Sequence, residues 1–196
     1  MLDVTLVLKP DGTYTVKEPE PVTPPTWVLP VGYEPDYPPE RWYCATLHGP
    51  STNYQSGFHT GLDINLGGPF GDSERLLGLA VRACTEGVVS WVGMAFGTGT
   101  VVLKVEHEGK PVWVRYAHVT PIVRTGEVVT PGQKLGGFAD WAPSYNPQAG
   151  DHLHNDMAVF PITNHWCTPP LANWLDPVQV YKAHIDPALV DEMVKL

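Results

Sequence analysis

The sequence predicts a mostly β protein built on antiparallel sheet, with an N-terminal hairpin, a proline-rich arm and short C-terminal helices. Three observations predict it. Glycine (19) and proline (21) make up about one residue in five of the 196, and neither suits the interior of a helix or strand. Short runs rich in valine and leucine recur between glycine turns. No long helical pattern separates those runs, so turns rather than crossover helices join the strands. With 43% hydrophobic and 17% charged residues, the chain has enough apolar material for a core, which excludes wholesale disorder.

The elements follow in order. In residues 3–17, Val4, Leu6 and Leu8 alternate with Thr5, Val7 and Lys9. Pro10-Asp11-Gly12 makes a turn, and Tyr14 and Val16 continue beyond it, which is a hairpin pattern. Eight prolines between Pro19 and Pro39 bar a sheet ladder or helix there, so that stretch reads as an extended arm. Trp27, Tyr33, Tyr37, Trp42 and Tyr43 stud the arm, and a solvated linker has no need of them, so the arm is expected to pack on the body. Strands are expected at 61–66, 79–83, 87–92, 100–107, 111–118, 127–129 and 152–159, with Glu108-Gly109-Lys110 as a hairpin turn. Asp176-Pro177 and Asp186-Pro187 each put an acidic N-cap before a proline at the first helical position, and Gln179 suits a capping box. The organisation expected is an arm with its hairpin (1–45), a central unit (46–175) and a helical extension (176–196).

Charge and composition exclude several function classes. Twelve basic against 21 acidic residues give a formal charge of −9, which repels polyphosphate and argues against nucleic acid as a partner. No apolar run approaches the ~18 residues of a membrane span. The N-terminus lacks a basic region and meets Pro10-Asp11-Gly12 too early for a signal peptide, so export by the usual route is not expected. Cys44, Cys84 and Cys167 match no zinc-thiolate spacing, and their odd count argues against a disulfide framework, so each reads as a single buried thiol.

Histidine carries the chemistry. There are eight, and four stand in suggestive company. His59 and Asp63 are both metal-ligand types. On a flat strand they would sit ~13 Å apart, so sharing one ion requires a bend, and Gly61 lies where a bend is needed. In His152-Leu153-His154 the two imidazoles share a strand face ~6.6 Å apart. That spacing lets both bind one ion, or lets one bind while the other stands beside a bound water. Tyr116-Ala117-His118 ends a strand, and period-2 alternation predicts that Tyr116 and His118 share a face. A catalytic zinc takes three protein ligands and leaves a position open for water. Two histidines and one acid for a metal, with two histidines to spare, are the apparatus of an amide hydrolase.

The ordered set His59/Asp63, Tyr116/His118 and His152-Leu153-His154 resembles the M23 zinc endopeptidases, the lysostaphin-like enzymes that cut the peptides of bacterial cell walls. Glycine punctuation agrees: Val81-Arg82-Ala83 then Gly87, Gly97 and Gly99 before a strand, Gly126, and the run Val129 to Gly136. The resemblance spans about Phe58 to Val159. It implies an antiparallel lysostaphin-like fold of the duplicated-hybrid-motif type and one zinc ion (Zn2+) per chain. It implies His59, Asp63 and His154 as ligands. It implies His118 and His152 beside the activated water, as general base and oxyanion stabiliser. Asp156 stands where the family usually has a glutamate and would orient a ligand, and Asn155 replaces the usual apolar residue. The narrow His59/Asp63 spacing resembles the endopeptidases rather than the related carboxypeptidases.

The expected activity is hydrolysis of peptidoglycan peptide bonds at the cell wall by a zinc metalloendopeptidase, delivered as a phage-type lysin or with a virion. The competing expectation is a latent wall-binding or virion structural module that keeps its zinc site. Two long stretches, Gly67–Gly78 and Gly137–Asp151, read as walls of a substrate groove, and Trp141 and Tyr145 there read as buried loop anchors ahead of aromatic contacts to peptide or sugar. The arm, or Asn53, is a candidate cover for the metal. His48, His107, His165 and His184 receive no functional role.

Overall fold

The computed structural model describes residues 5–8, 14–17, 27–32, 38, 41–51, 57–66, 76–141, 151–163 and 171–194. In chain order the strands are β1 (Thr5–Leu8), β2 (Tyr14–Lys17), β3 (Trp42–Thr46), β4 (Gly49–Pro50), β5 (Phe58–His59), β6 (Gly61–Leu66), β7 (Ala80–Arg82), β8 (Gly87–Ala95), β9 (Thr98–His107), β10 (Lys110–Ala117), β11 (Val119–Pro121), β12 (Val128–Val129), β13 (Lys134–Phe138), β14 (Leu153–Ala158) and β15 (Trp174–Leu175). Two helices close the chain, α1 (Pro177–His184) and α2 (Pro187–Val194).

An eight-stranded antiparallel sheet dominates, in the order β12-β8-β9-β10-β14-β6-β3, with β15 also pairing β14. A three-stranded sheet, β11-β13-β7, and the short pair β4-β5 accompany it. β1 and β2 form the expected N-terminal hairpin, Thr5 opposite Lys17. The β9–β10 hairpin turns at Glu108 (φ 50°) and Gly109 (φ 71°), the left-handed pair that a two-residue hairpin turn demands.

The core lies on one face of the large sheet. Leu62, Ile64, Val101, Leu103, Val114, Tyr116, Leu153 and Met157 pack there against Val81, Leu135 and Phe138 of the small sheet and against Tyr181, Val190 and Met193 of the helices. The arm joins this core. Trp27, Leu29 and Val31 are buried, Val28 N–H donates to the Cys84 carbonyl (2.7 Å), and Arg82 N–H donates to the Pro30 carbonyl (2.9 Å). Over these residues the arm is a packing element, as its aromatic content predicts. Cys44 and Cys84 are free buried thiols, each pushed up to about 12, chiefly by burial. A second cluster, Val102, Ala158, Ile162 and Trp174, with Trp91, Trp113 and Phe160 packed against it, draws on the opposite face of the sheet.

Both helices begin as the sequence predicts. The Asp176 carboxylate accepts from Val178 N–H (2.9 Å) and Pro177 opens α1; Asp186 accepts from Ala188 N–H (3.0 Å) ahead of α2. Among the described residues no helix is long and apolar enough to cross a membrane.

Glycine at 61 serves close approach rather than a bend. Its backbone stays outside the left-handed region, but a Cβ there would meet the Asn155 carbonyl oxygen at 2.3 Å and Asp156 Cβ at 2.6 Å. The change of direction falls at Thr60, where the chain leaves the β4–β5 pair and enters the large sheet. Gly61→Ala therefore has to push β6 away from β14, the strand it pairs with between His59 and Asp63. We expect a loss of about 1–3 kcal/mol in stability, read by thermal or urea unfolding.

Candidate metal centre

β6 and β14 pair in a register that sets Asp63 opposite His154 and Gly61 opposite Asp156. His152, His154 and Asp156 alternate along one face, while Leu153, Asn155 and Met157 take the other. His59 reaches the same place from the short β5, after the break at Thr60. His59 Nε2, Asp63 Oδ1 and His154 Nδ1 form a nearly equilateral triangle, with sides of 3.1, 3.1 and 3.0 Å. All three residues are buried, and they are the group of potential metal ligands among the described residues.

The outer partners of the two rings decide what faces inward. His59 Nδ1 lies 3.0 Å from the Leu47 carbonyl, so that nitrogen donates. His154 Nε2 lies 3.0 Å from Asp156 Oδ2, so it donates as well. In the neutral rings the two inner nitrogens then present lone pairs, and Asp63 adds a carboxylate oxygen. Three acceptors at about 3 Å repel one another unless a positive charge stands among them. Without a metal a proton serves: burial works against it, but Asp156 and Asp63 outweigh burial and hold His154 up at about 9. Burial likewise opposes ionisation of Asp63, and its close contacts with His154 and His59 outweigh it and keep the carboxylate ionised. Two imidazoles, one carboxylate and inward lone pairs fit zinc by donor type and number.

Asp156 is held from three sides. Its Oδ2 accepts from Thr60 Oγ1 (2.8 Å) and from His154, and its Oδ1 accepts from Arg115 Nε (3.0 Å), with Arg115 Nη2 completing the fork on Oδ2. Burial raises this carboxyl, but the Arg115 charge and His154 outweigh it and hold the pKa far below the usual carboxylate range.

His118 and His152 stand beside the triangle. His152 Nε2 lies 3.5 Å from Asp63 Oδ1, and its ring centroid lies 4.6 Å from that of His118. His118 Nδ1 pairs with Thr98 Oγ1 at 2.9 Å. Burial, then the neighbouring His152 and His154, pushes His118 down to about 2, so its ring is neutral.

The expectation that Tyr116 and His118 share a face does not hold. Tyr116 is in the core, and its hydroxyl accepts from Cys84 N–H at 3.0 Å. β10 ends at Ala117, and His118 takes a left-handed backbone (φ 63°) before β11 joins the small sheet. That turn swings the imidazole away from the core face that unbroken alternation would give it. The His118 carbonyl accepts from Ala139 N–H (2.9 Å), which fixes the turn.

Phe96, unnoticed in the sequence, is the other half of the site's wall. It and Gly97 make the left-handed β8–β9 turn (φ 52° and 82°). Its ring lies 5.5 Å from His154, and its carbonyl accepts from the Trp141 indole at 2.9 Å. Trp141 stands 4.3 Å from the His118 ring and 4.5 Å from His152, and its backbone N–H donates to Asp151 Oδ1 (3.0 Å). A Phe-Gly pair between two β patterns is the signal that would have located this wall. Tyr145, Asn53, His165, Cys167 and most of the two long stretches lie outside the described residues.

The sequence profile of peptidase family M23 matches residues 57–162, just over half of the chain and all five side chains gathered here. The chain belongs to peptidase family M23. No curated protein matches it in sequence. Two solved structures show the likeness of this M23 chain to lysostaphin. One is an NMR solution structure of lysostaphin, with a TM-score of 0.54 and 21% identity over 74% of this chain and 52% of that one. The other is the antimicrobial peptidase lysostaphin from Staphylococcus simulans, with a TM-score of 0.55 at the same identity and coverage. At that identity the likeness shows the fold, which is lysostaphin-like, and the M23 chain spans about half the length of those lysostaphin chains.

Proposed function

We propose that this M23 chain is a zinc-dependent endopeptidase that hydrolyses peptide bonds of bacterial peptidoglycan. The observation that carries the reading is the triangle of inward lone pairs on His59, Asp63 and His154, inside the span that matches the peptidase family. In this reading those three residues hold one zinc ion per chain. Zinc, when bound, lowers the pKa of a water ligand from ~15.7 to ~7 and polarises a carbonyl. His118 and His152 are assigned to the proton transfer and to the hydrogen bond that stabilises the carbonyl oxygen as its charge develops. Asp156 orients His154 by taking its outer N–H. Phe96 and Trp141 wall the histidines from bulk water. The likeness to lysostaphin, described as an antimicrobial peptidase, supports the bacterial wall as the place of action. The division into an arm (1–45), a peptidase unit (46–175) and a helical extension (176–196) belongs to this proposal.

The test is turbidity loss of purified cell walls with the protein as purified, after chelation, and after zinc is restored. Clearing that stops with chelator and returns with zinc is the expected result, and the new amino termini in the released fragments identify the bond. Tight zinc binding with no clearing would favour a latent or structural module instead.

A further inference from the structure

We propose that Arg115 is a positioning residue of the metal centre, and that residues 171–184, beyond the span matched to the family, hold it in place. The proposal rests on the zinc reading of His59, Asp63 and His154.

The Arg115–Asp156 pair is costly where it stands. Arg115 is 2% exposed and Asp156 is fully buried. Removing two charges from water is costly, and an apolar pair of similar volume is often as stable. Arg115 Nη1, also buried, has no hydrogen-bond partner among the described residues, which adds to the cost. Stability alone gives no reason for such a pair, but the orientation of Asp156 does. The guanidinium fork engages both carboxylate oxygens and fixes the plane of the group. In that plane Oδ2 accepts from His154 Nε2–H, which turns Nδ1 toward Asp63. Without the fork, Thr60 Oγ1 still holds Oδ2 but no other described residue engages Oδ1, so the plane of the carboxylate, and with it the ring angle of His154, is less tightly set.

Arg115 is gripped in turn by Phe96 and by the C-terminal segment. Its guanidinium carbon lies 4.8 Å from the Phe96 ring centroid and 5.3 Å from that of Trp174. Trp174 is tied to the metal-binding strand itself, since β15 pairs with β14 at Ala158. A second hold acts on the backbone. The Arg115 carbonyl accepts from Asn155 Nδ2 (3.0 Å), and Asn155 Oδ1 accepts from the Tyr181 hydroxyl of α1 (2.7 Å). Asn155 thus links the helix to the strand. Trp174 and Tyr181 supply no metal ligand, yet they restrain the side chain and the backbone of the residue that orients one.

The experiment measures zinc affinity of the full chain by competition with a chromophoric chelator, the visible spectrum with cobalt(II) in place of zinc, and thermal unfolding. Arg115→Met should weaken zinc by about 10-fold, the low end of the range for losing a ligand's own outer partner, because Arg115 acts through Asp156, and should alter the cobalt spectrum. Arg115→Lys should recover part of the affinity, because an ammonium replaces the charge but not the planar fork. Trp174→Leu should give a smaller loss in the same direction. A folded Arg115→Met with wild-type affinity and spectrum would overturn the proposal. If Arg115→Met does not fold, unchanged zinc affinity in both Arg115→Lys and Trp174→Leu overturns it, and weakened affinity in them supports it. Failure of the wild-type chain to bind zinc would instead sink the metal reading beneath both proposals.

Discussion

His154→Ala is expected to abolish tight zinc binding. The variant leaves His59 Nε2 and Asp63 Oδ1 as the inner donors, one short of the three that a catalytic zinc takes. Four-ligand structural sites bind zinc with about 10–16 kcal/mol, so one ligand is worth about 2.5–4 kcal/mol, or roughly 10²–10³-fold in affinity. His152 is placed to compensate, because its Nε2 already lies 3.5 Å from Asp63 Oδ1. The double variant His152→Ala/His154→Ala removes that route. Zinc content after gel filtration, with chelator competition for affinity, reads both. Near-stoichiometric zinc in the single variant and none in the double would make His152 an interchangeable ligand. Full zinc in both would remove His154 from the ligand set.

The second large effect is expected at His118. His118→Ala should retain zinc and lose turnover by about 10²–10⁴-fold, the range for a general base or an oxyanion donor. The buried ring, pushed down to about 2, is a weak proton acceptor and a sound neutral N–H donor, so its environment favours the hydrogen bond to developing charge. Thr98 can donate to Nδ1 or accept from it, and so permits either tautomer. Because the backbone is left-handed here, alanine adds strain of its own. His118→Asn is the better control, since asparagine tolerates that conformation and has no imidazole. Wild-type turnover in either variant would make His118 structural. Turnover lost together with zinc would make it part of the binding site.

Local pattern made much of this architecture legible. The limits of β6 at 61–66 match the expected run, and the β9–β10 turn, the β1–β2 hairpin and both aspartate caps form where the residues indicate. These features depend on alternation, on backbone preferences or on a side chain bonding to its neighbours, all of which operate within a few residues. The strands not anticipated, β3, β4, β5, β11, β13 and β15, are mostly two or three residues long or glycine-bearing, as in Lys134-Leu-Gly-Gly-Phe138. They exist because another strand accepts their hydrogen bonds, and no pattern within runs this short encodes that partner.

The candidate site divides along the same line. The residue types of His59, Asp63, His118, His152 and His154 point to a metal-dependent amide hydrolase, because ligand chemistry resides in the side chain itself, and their order carries the resemblance to the M23 family. The distances did not follow from that order. Only the pairing of β6 with β14 sets Asp63 beside His154, only the break at Thr60 brings in His59, and only the left-handed turn at His118 carries its ring off the core face. Arg115 and Trp174 had no signature at all, and Phe96 had only the Phe-Gly pair of its turn. Their roles come from packing among elements far apart in the chain, which arises when sheet and helices close on one core. By itself the sequence determined the class of fold and the chemistry available to it. Tertiary structure decided which groups meet and what each one faces, because proximity between residues up to 96 positions apart depends on strand register and burial.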